Sequence, residues 1–431
     1  MIWTIISVNI LTLLIAFKKR MLLYGLLNAI FLFLVAGQAI QIQDDLQTQR
    51  TVYYLNNFIS DVGFSEALWY VLGIECVSFF LALLTKGYSA TLQTTARYRF
   101  QPPSFFYIAL FTVQVLLSGV LIFGVVGLSE FLHSSRPGVQ TGTTIFITLL
   151  FLGIIPLLLK ILYRSKITRG DITCFLLSFS VTAGFSRIHL MLYLLALLLA
   201  FFYASGWADR PLSLRLVSRV LLFGGVAIVM FFGIGALHDA QNFVSGSLSD
   251  LITYIISHPE KSILSIEYNY RVGVEGMSGI AGAFSQYLSN PNLVHFDFGV
   301  SWMLQGLVQW LPGPLKVYAA GISALSDDLN WFSGSVVATG AESYFVSFGW
   351  AGVLLYPLTV FFLSWHLPLR VLTAKLGPAV RLTAYTLFAC CIFFVRGSLF
   401  VWMGVSISYV IIILASWPLF RPYMRVSENV N

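Results

Sequence analysis

The chain has 431 residues, 58% of them hydrophobic and only 10% charged, with a formal net charge of +7 and a mean hydropathy of +0.84. Soluble domains carry about 25% charged residues, so this chain cannot cover a globule with polar surface and reads as an integral membrane protein. Its positive charge lies in short clusters between apolar runs, which fits the loops of a multi-pass protein and argues against a nucleic-acid partner.

At about 20 residues per crossing, the expectation is an all-α polytopic protein with about eleven spans. In chain order they are Ile2–Phe17, Leu22–Ile40, Phe64–Leu84, Pro103–Leu128, Thr144–Tyr163, Ile172–Phe185, Leu190–Ala204, Val217–Leu237, Tyr344–Leu367, Val380–Val395 and Leu399–Leu419. The first run has no cationic segment before it and no small-residue cleavage site after it, so it reads as a span and not as a removable signal. The sixth and seventh are short and either cross fully or form a re-entrant pair. Cys76, Cys174, Cys390 and Cys391 all fall inside apolar runs, with neither a disulfide framework nor zinc-ligand spacing. Glu75, in the middle of the third span, is placed for a packing hydrogen bond, an ion pair or chemistry.

Orientation follows from lysine and arginine. With the N-terminus outside, the inner loops collect Lys18, Lys19, Arg20, Lys86, Arg97, Arg99, Lys160, Arg164, Lys166, Arg169, Arg210, Arg215, Arg219, Arg370, Lys375, Arg381, Arg421 and Arg425. The outer side keeps only Arg50, Arg136, Arg187, Lys261, Arg271, Lys316 and Arg396. Arg187 and Arg396 stand out because each occupies a tight turn between apolar spans, in Ser186-Arg187-Ile188-His189 and Val395-Arg396-Gly397-Ser398. A guanidinium at the membrane surface is costly unless it meets a carboxylate or an anionic ligand, and both pairings remain open.

The chain divides into an N-terminal bundle (1–237), a large outer loop (238–341) and a C-terminal bundle (342–431). A long polar-tolerant loop in such a protein is where function is expected. Leu248–Ile266 has apolar residues at helical spacing, broken at Pro259, and reads as one or two amphipathic helices on the membrane surface. In the segment that follows, a helix would put Arg271 and Glu275 on one face, and Gly276, Gly279 and Gly282 would let another backbone approach. Glu342 then opens the ninth span, where a helix dipole alone would favour a carboxylate. Nucleotide-binding loops, zinc-protease motifs, nucleophile elbows and paired transporter half-helices are not recognisable, so the energy for any reaction must reside in the substrate.

Three features resemble the O-antigen polymerase (Wzy) family of bacterial glycan polymerases. Arg271 and Gly282 enclose ten residues, like the Arg-x10-Gly pattern of that family's outer loops. Gly340-Ala341-Glu342-Ser343-Tyr344-Phe345-Val346-Ser347-Phe348-Gly349-Trp350-Ala351-Gly352 is similar to its Glu-x-Tyr-x-x-Phe-Gly-x-x-Gly stretch, with one extra residue between Tyr344 and Phe348-Gly349. Ser186-Arg187 and Arg396-Gly397 resemble its arginine-bearing outer turns. The resemblance implies a GT-C-like fold in the bacterial inner membrane, with the large loop periplasmic. It implies a glycosyltransferase that needs no metal or other cofactor and polymerises undecaprenyl-pyrophosphate-linked repeat units. Partners would be that lipid-linked glycan, membrane lipid and a chain-length-regulating membrane protein. Arg187, Arg271 and Arg396 would contact pyrophosphate, Tyr268, Tyr270 and Tyr344 (with Trp302) the sugars, and Glu342, Glu275 or His189 would be the general base. An O-antigen ligase uses the same donor, and a transporter, a flippase or a non-catalytic scaffold are alternatives from other classes.

Overall fold

A computed structural model of the chain describes residues 1–48, 51–54, 57–87, 98–126, 141–185, 187–204, 253–254, 256–258, 276–291, 339–373, 376–396 and 399–426. These residues are mostly helical. Five helical stretches are long and apolar enough to cross a bilayer: Leu22–Thr48, Asp61–Leu84, Ser104–Gly124, Gly340–Val371 and Val405–Tyr423. Shorter apolar helices cover Ile2–Lys18, His189–Phe202 and Pro378–Ile392. The expected span Val217–Leu237 and most of the long outer loop lie outside the described residues. The chain forms two compact units, each assembled from separate stretches of sequence.

The first unit contains 1–88, 270–370 and 390–407. Its helix α1 (Ile2–Lys18) packs against both α2 (Leu22–Thr48) and α3 (Asp61–Leu84). Between α2 and α3 the run Thr51-Val52-Tyr53-Tyr54, rich in β-branched and aromatic residues, forms strand β1 (Thr51–Tyr54). It pairs antiparallel with β2 (Asn57–Ser60), a small ribbon the all-helical expectation did not include. Ser60 caps α3 by accepting from Gly63 N at 3.1 Å. At the opposite end of α3, Lys19 Nζ donates to the carbonyls of Ala82, Leu83 and Thr85 at 2.6–2.8 Å. A lysine expected in a solvated inner loop is therefore the cation that satisfies a helix C-terminus.

Helix α9 (Met277–Ser289) lies in the interior of this unit. The glycines of this segment were expected to let another backbone approach, and every residue of α9 from Met277 to Ser285 is buried, packed on α2, α3 and β2. Its small residues Gly279, Ala281, Gly282 and Ala283 explain this, since they let neighbouring backbones come close. Ser285 Oγ accepts from Ser60 N at 2.9 Å, pinning α9 to the cap of α3. The helix α10 (Gly340–Phe348) leads through a short 3-10 turn into α11 (Gly352–Phe361), a π-helical turn and α12 (Leu367–Thr373). Phe284 of α9 stacks on Phe345 of α10 with centroids 3.8 Å apart, and Tyr70 of α3 lies edge-on to both.

The second unit contains 89–269, 371–389 and 408–431. It includes α4 (Ser104–Gly119), which continues as a π-helix to Val126, followed by α5 (Thr141–Leu150), α6 (Ile155–Leu162), α7 (Arg169–Phe185) and α8 (Arg187–Ala204). The expected fifth span is broken into α5 and α6 at Phe151–Gly153, just before Pro156, which cannot donate in a helix interior. The expected sixth and seventh spans are α7 and α8, of 17 and 18 residues. At 1.5 Å per residue each is about 26 Å long, a little less than the hydrocarbon core. On α4, Phe105, Ile108 and Leu116 are each more than 60% exposed, a surface suited to lipid and not to water. Helices α13 (Pro378–Arg396) and α14 (Leu399–Phe420) contribute residues to both units, and β3 (Tyr98–Phe100) pairs with β4 (Met424–Val426) in the second.

A buried ion pair holds the second unit's connection between α6 and α7. Lys160 Nζ lies 3.7 Å from Asp171 Oδ2, with both side chains at most 5% exposed. The same carboxylate accepts from Tyr107 OH at 2.6 Å and from the Thr168 amide and hydroxyl at 2.6 and 2.7 Å, and Lys160 also donates to the Lys166 carbonyl at 2.8 Å. Removing one partner strands the other charge. Asp171→Ala is expected to cost about 3–5 kcal/mol of stability, whereas Lys160→Met with Asp171→Leu together should cost far less. Thermal unfolding in detergent checks this, and equal losses in the single and double variants would sink the expectation.

Candidate functional site

Glu342 is the sequence-derived candidate whose surroundings are described most fully. Thr339-Gly340-Ala341-Glu342 has the spacing of a capping box, and the structure forms it. Thr339 Oγ1 accepts from Glu342 N, and Glu342 Oε2 accepts from Thr339 N, each at 3.2 Å. The carboxylate is 3% exposed. It also lies against the first turn of α9, since a Cβ at Gly279 would collide with Oε2. One carboxylate is therefore set beside the N-terminal turns of two helices, where both dipoles favour negative charge. Among the described residues Oε1 receives no hydrogen bond.

Two further contacts fix this arrangement. Gln38 of α2 accepts at Oε1 from Gly276 N and Ser278 N, both at 3.1 Å, satisfying the otherwise orphaned amides at the start of α9. Tyr70 OH donates to the Ala341 carbonyl at 3.1 Å, nine residues into α3. At 1.5 Å per residue that is about 13 Å along the helix, so α10 begins well inside the length of α3 and not level with its end. Ser278 Oγ is buried beside these groups in sequence and has no hydrogen-bond partner among the described residues.

The other expected site residues divide into three groups. Tyr344, on α10 with Glu342, is buried, donates from its hydroxyl to Thr359 Oγ1 at 3.0 Å and packs against Tyr356 and Phe394. His189 is buried in the first turn of α8, with its ring 6.2 Å from that of Tyr409. It belongs to the second unit, whereas Glu342 belongs to the first. Arg187 opens α8 and Arg396 closes α13, but their side chains are not among those described; Tyr268, Tyr270, Arg271, Glu275 and Trp302 lie outside the described residues altogether.

Gln38 and Thr339 escaped the sequence reading, and Gly279 was read only as a place of close backbone approach. The capping-box spacing of Thr339 and Glu342 was visible there, and Gln38 was a polar residue near the end of an apolar run. Nothing in the linear order signals that Gln38 meets residues 238 positions later. Among the described residues no group of three His, Cys, Asp or Glu is placed to hold a metal ion. Comparison with family models, with curated proteins and with solved structures returned no match.

Proposed function

We propose that this protein is a lipid-linked glycosyltransferase of the O-antigen polymerase type, extending a surface polysaccharide at the outer face of a bacterial inner membrane. The observation that carries the reading is the buried carboxylate of Glu342, held at two helix N-termini with one oxygen uncommitted among the described residues. That oxygen suits a general base, accepting the proton of an acceptor sugar hydroxyl as its oxygen attacks the anomeric carbon of the donor. The anomeric carbon–oxygen bond to the diphosphate breaks, and the undecaprenyl pyrophosphate leaves with the electron pair. A single displacement of this kind inverts the anomeric centre.

The departing diphosphate concentrates negative charge at the lipid surface. Arginine forks bind such an anion bidentately, which is the role proposed for Arg187, Arg271 and Arg396. Their support is the charge asymmetry of the sequence, which leaves few basic residues on the outer side. Tyr268, Tyr270 and Trp302 are proposed to stack on sugar faces, and about eleven crossings with a periplasmic loop complete the topology.

The decisive experiment is incubation of the purified protein with a synthetic lipid-linked repeat unit in the presence of a chelator. A ladder of extended products on gels or by mass spectrometry is expected. Arg271→Ala and Arg396→Ala should express and insert normally but lose chain extension. Normal polymer length in both variants would remove the diphosphate assignment. In cells, loss of the gene should leave single-repeat glycolipid; unattached long polymer would point to a ligase instead.

A further inference from the structure

The first unit also encloses a polar cluster that the transferase reading does not use. Glu75 of α3 and Asn9 of α1 are both fully buried among apolar helices. Asn9 Nδ2 donates to Glu75 Oε1 at 2.7 Å and to the Asn28 carbonyl at 3.2 Å. Around them the other donors are committed: Asn28 Nδ2 to the Tyr24 carbonyl, and Tyr24 OH to the Ser78 carbonyl, each at 2.8 Å. Among the described residues three atoms of the cluster have no partner: Glu75 Oε2, Asn9 Oδ1 and the hydroxyl of Tyr356 on α11. Two of the three are pure acceptors when Glu75 is ionised, so the cluster is short of a donor.

Among the described residues the surroundings supply no cation. Around Glu75 are Asn9 on α1, Tyr24 and Asn28 on α2, Tyr356 on α11 and its own neighbour Cys76. The part of α9 packed on α3 brings Phe284 and Ser285, neither of them charged. Lys19 is occupied at the C-terminal carbonyls of α3. An unpaired carboxylate and two unsatisfied acceptors in the interior of a membrane bundle would be costly several times over.

We propose that Asn9, Glu75 and Tyr356 form a proton-binding site, in which a proton on Glu75 Oε2 is donated to Asn9 Oδ1. Acid and amide are then joined by two antiparallel bonds, Nδ2–H to Oε1 and Oε2–H to Oδ1, and the Tyr356 hydroxyl is the alternative acceptor for the same proton. A single proton, taken up from water, both removes the charge and supplies the missing donor. A metal ion would instead need more oxygen ligands than the three available atoms. The site joins α1 to α3, so that helix contact depends on the proton being held. It stands independently of the proposed transferase activity.

Infrared spectroscopy of the protein in lipid at neutral pH tests this. Wild type should show the C=O stretch of a protonated carboxyl group, and Glu75→Gln should abolish it. Asn9→Ala should move the band to higher frequency, because the acid loses its amide partner. Glu75→Gln replaces the O–H donor by N–H and should therefore melt within about 2 °C of wild type. Three results would overturn the proposal. One is a wild type without the acid band, and another is a band unmoved in Asn9→Ala. The third is a wild-type melting temperature raised by sodium or potassium but not by choline, with that gain lost in Glu75→Gln, which would mark a cation site.

Discussion

Glu342→Gln is expected to lower the rate of chain extension by about 100- to 10,000-fold, the usual contribution of a general base, while leaving the fold intact. The substitution separates the proposed general-base role from the helix-cap role that the structure shows. A capping box accepts glutamine in place of glutamate, so Thr339 N keeps an acceptor and α10 keeps its first turn. What glutamine cannot do is take a proton from a sugar hydroxyl. The measurement is the ladder assay on purified protein, with melting temperature recorded alongside. Normal extension by this variant would leave Glu342 as a helix cap only, and Glu275 or His189 would inherit the base. A collapse of melting temperature with activity would show instead that the carboxylate charge at the two helix termini is structural.

Gly63→Ala is expected to lower stability by crowding one helix backbone against another. A Cβ there would collide with Ser285 Oγ and would stand 2.7 Å from both the backbone N and Cα of Ser285. A side chain could swing away from such a clash, but the backbone of α9 cannot, because Ser285 is buried within that helix. Forced overpacking of this kind costs about 1–3 kcal/mol. Here it also pushes α9 off the cap of α3, so the turn that supports Glu342 should shift and extension should fall with stability. The matched control is Gly119→Ala, where nothing lies within 4 Å of the new methyl and the unfolded chain loses freedom. Unfolding in detergent should move down for Gly63→Ala and hold or rise for Gly119→Ala. Equal behaviour of the two variants would mean that α3 and α9 do not touch as described.

Much of the helical layout was legible because hydropathy is a local property. Helices α1, α3 and α14 begin and end within about three residues of where the apolar runs placed them, since each must keep its backbone polar groups bonded within one segment to enter lipid. The layout failed where a run's composition concealed something else. Leu22–Ile40 is continued by polar residues as far as Thr48, because a helix leaving the bilayer loses its apolar signal but not its hydrogen bonds. The short ribbon β1–β2 passed unnoticed between two spans, and the glycines of α9 announced a close backbone approach without saying which helix makes it.

By itself, the sequence determined that this is a helical membrane protein, where its apolar helices run, and that Glu342 would sit in the first turn of one of them. These are matters of composition, periodicity and capping within a few consecutive residues. Only the tertiary structure decided that Gln38 holds the start of α9, that Gly279 meets the Glu342 carboxylate, and that Asn9 bonds to Glu75. Each of these joins residues dozens to hundreds of positions apart through groups that find no water in the interior. Which buried donor finds which acceptor is settled by how helices pack, and packing is a property of the assembled chain.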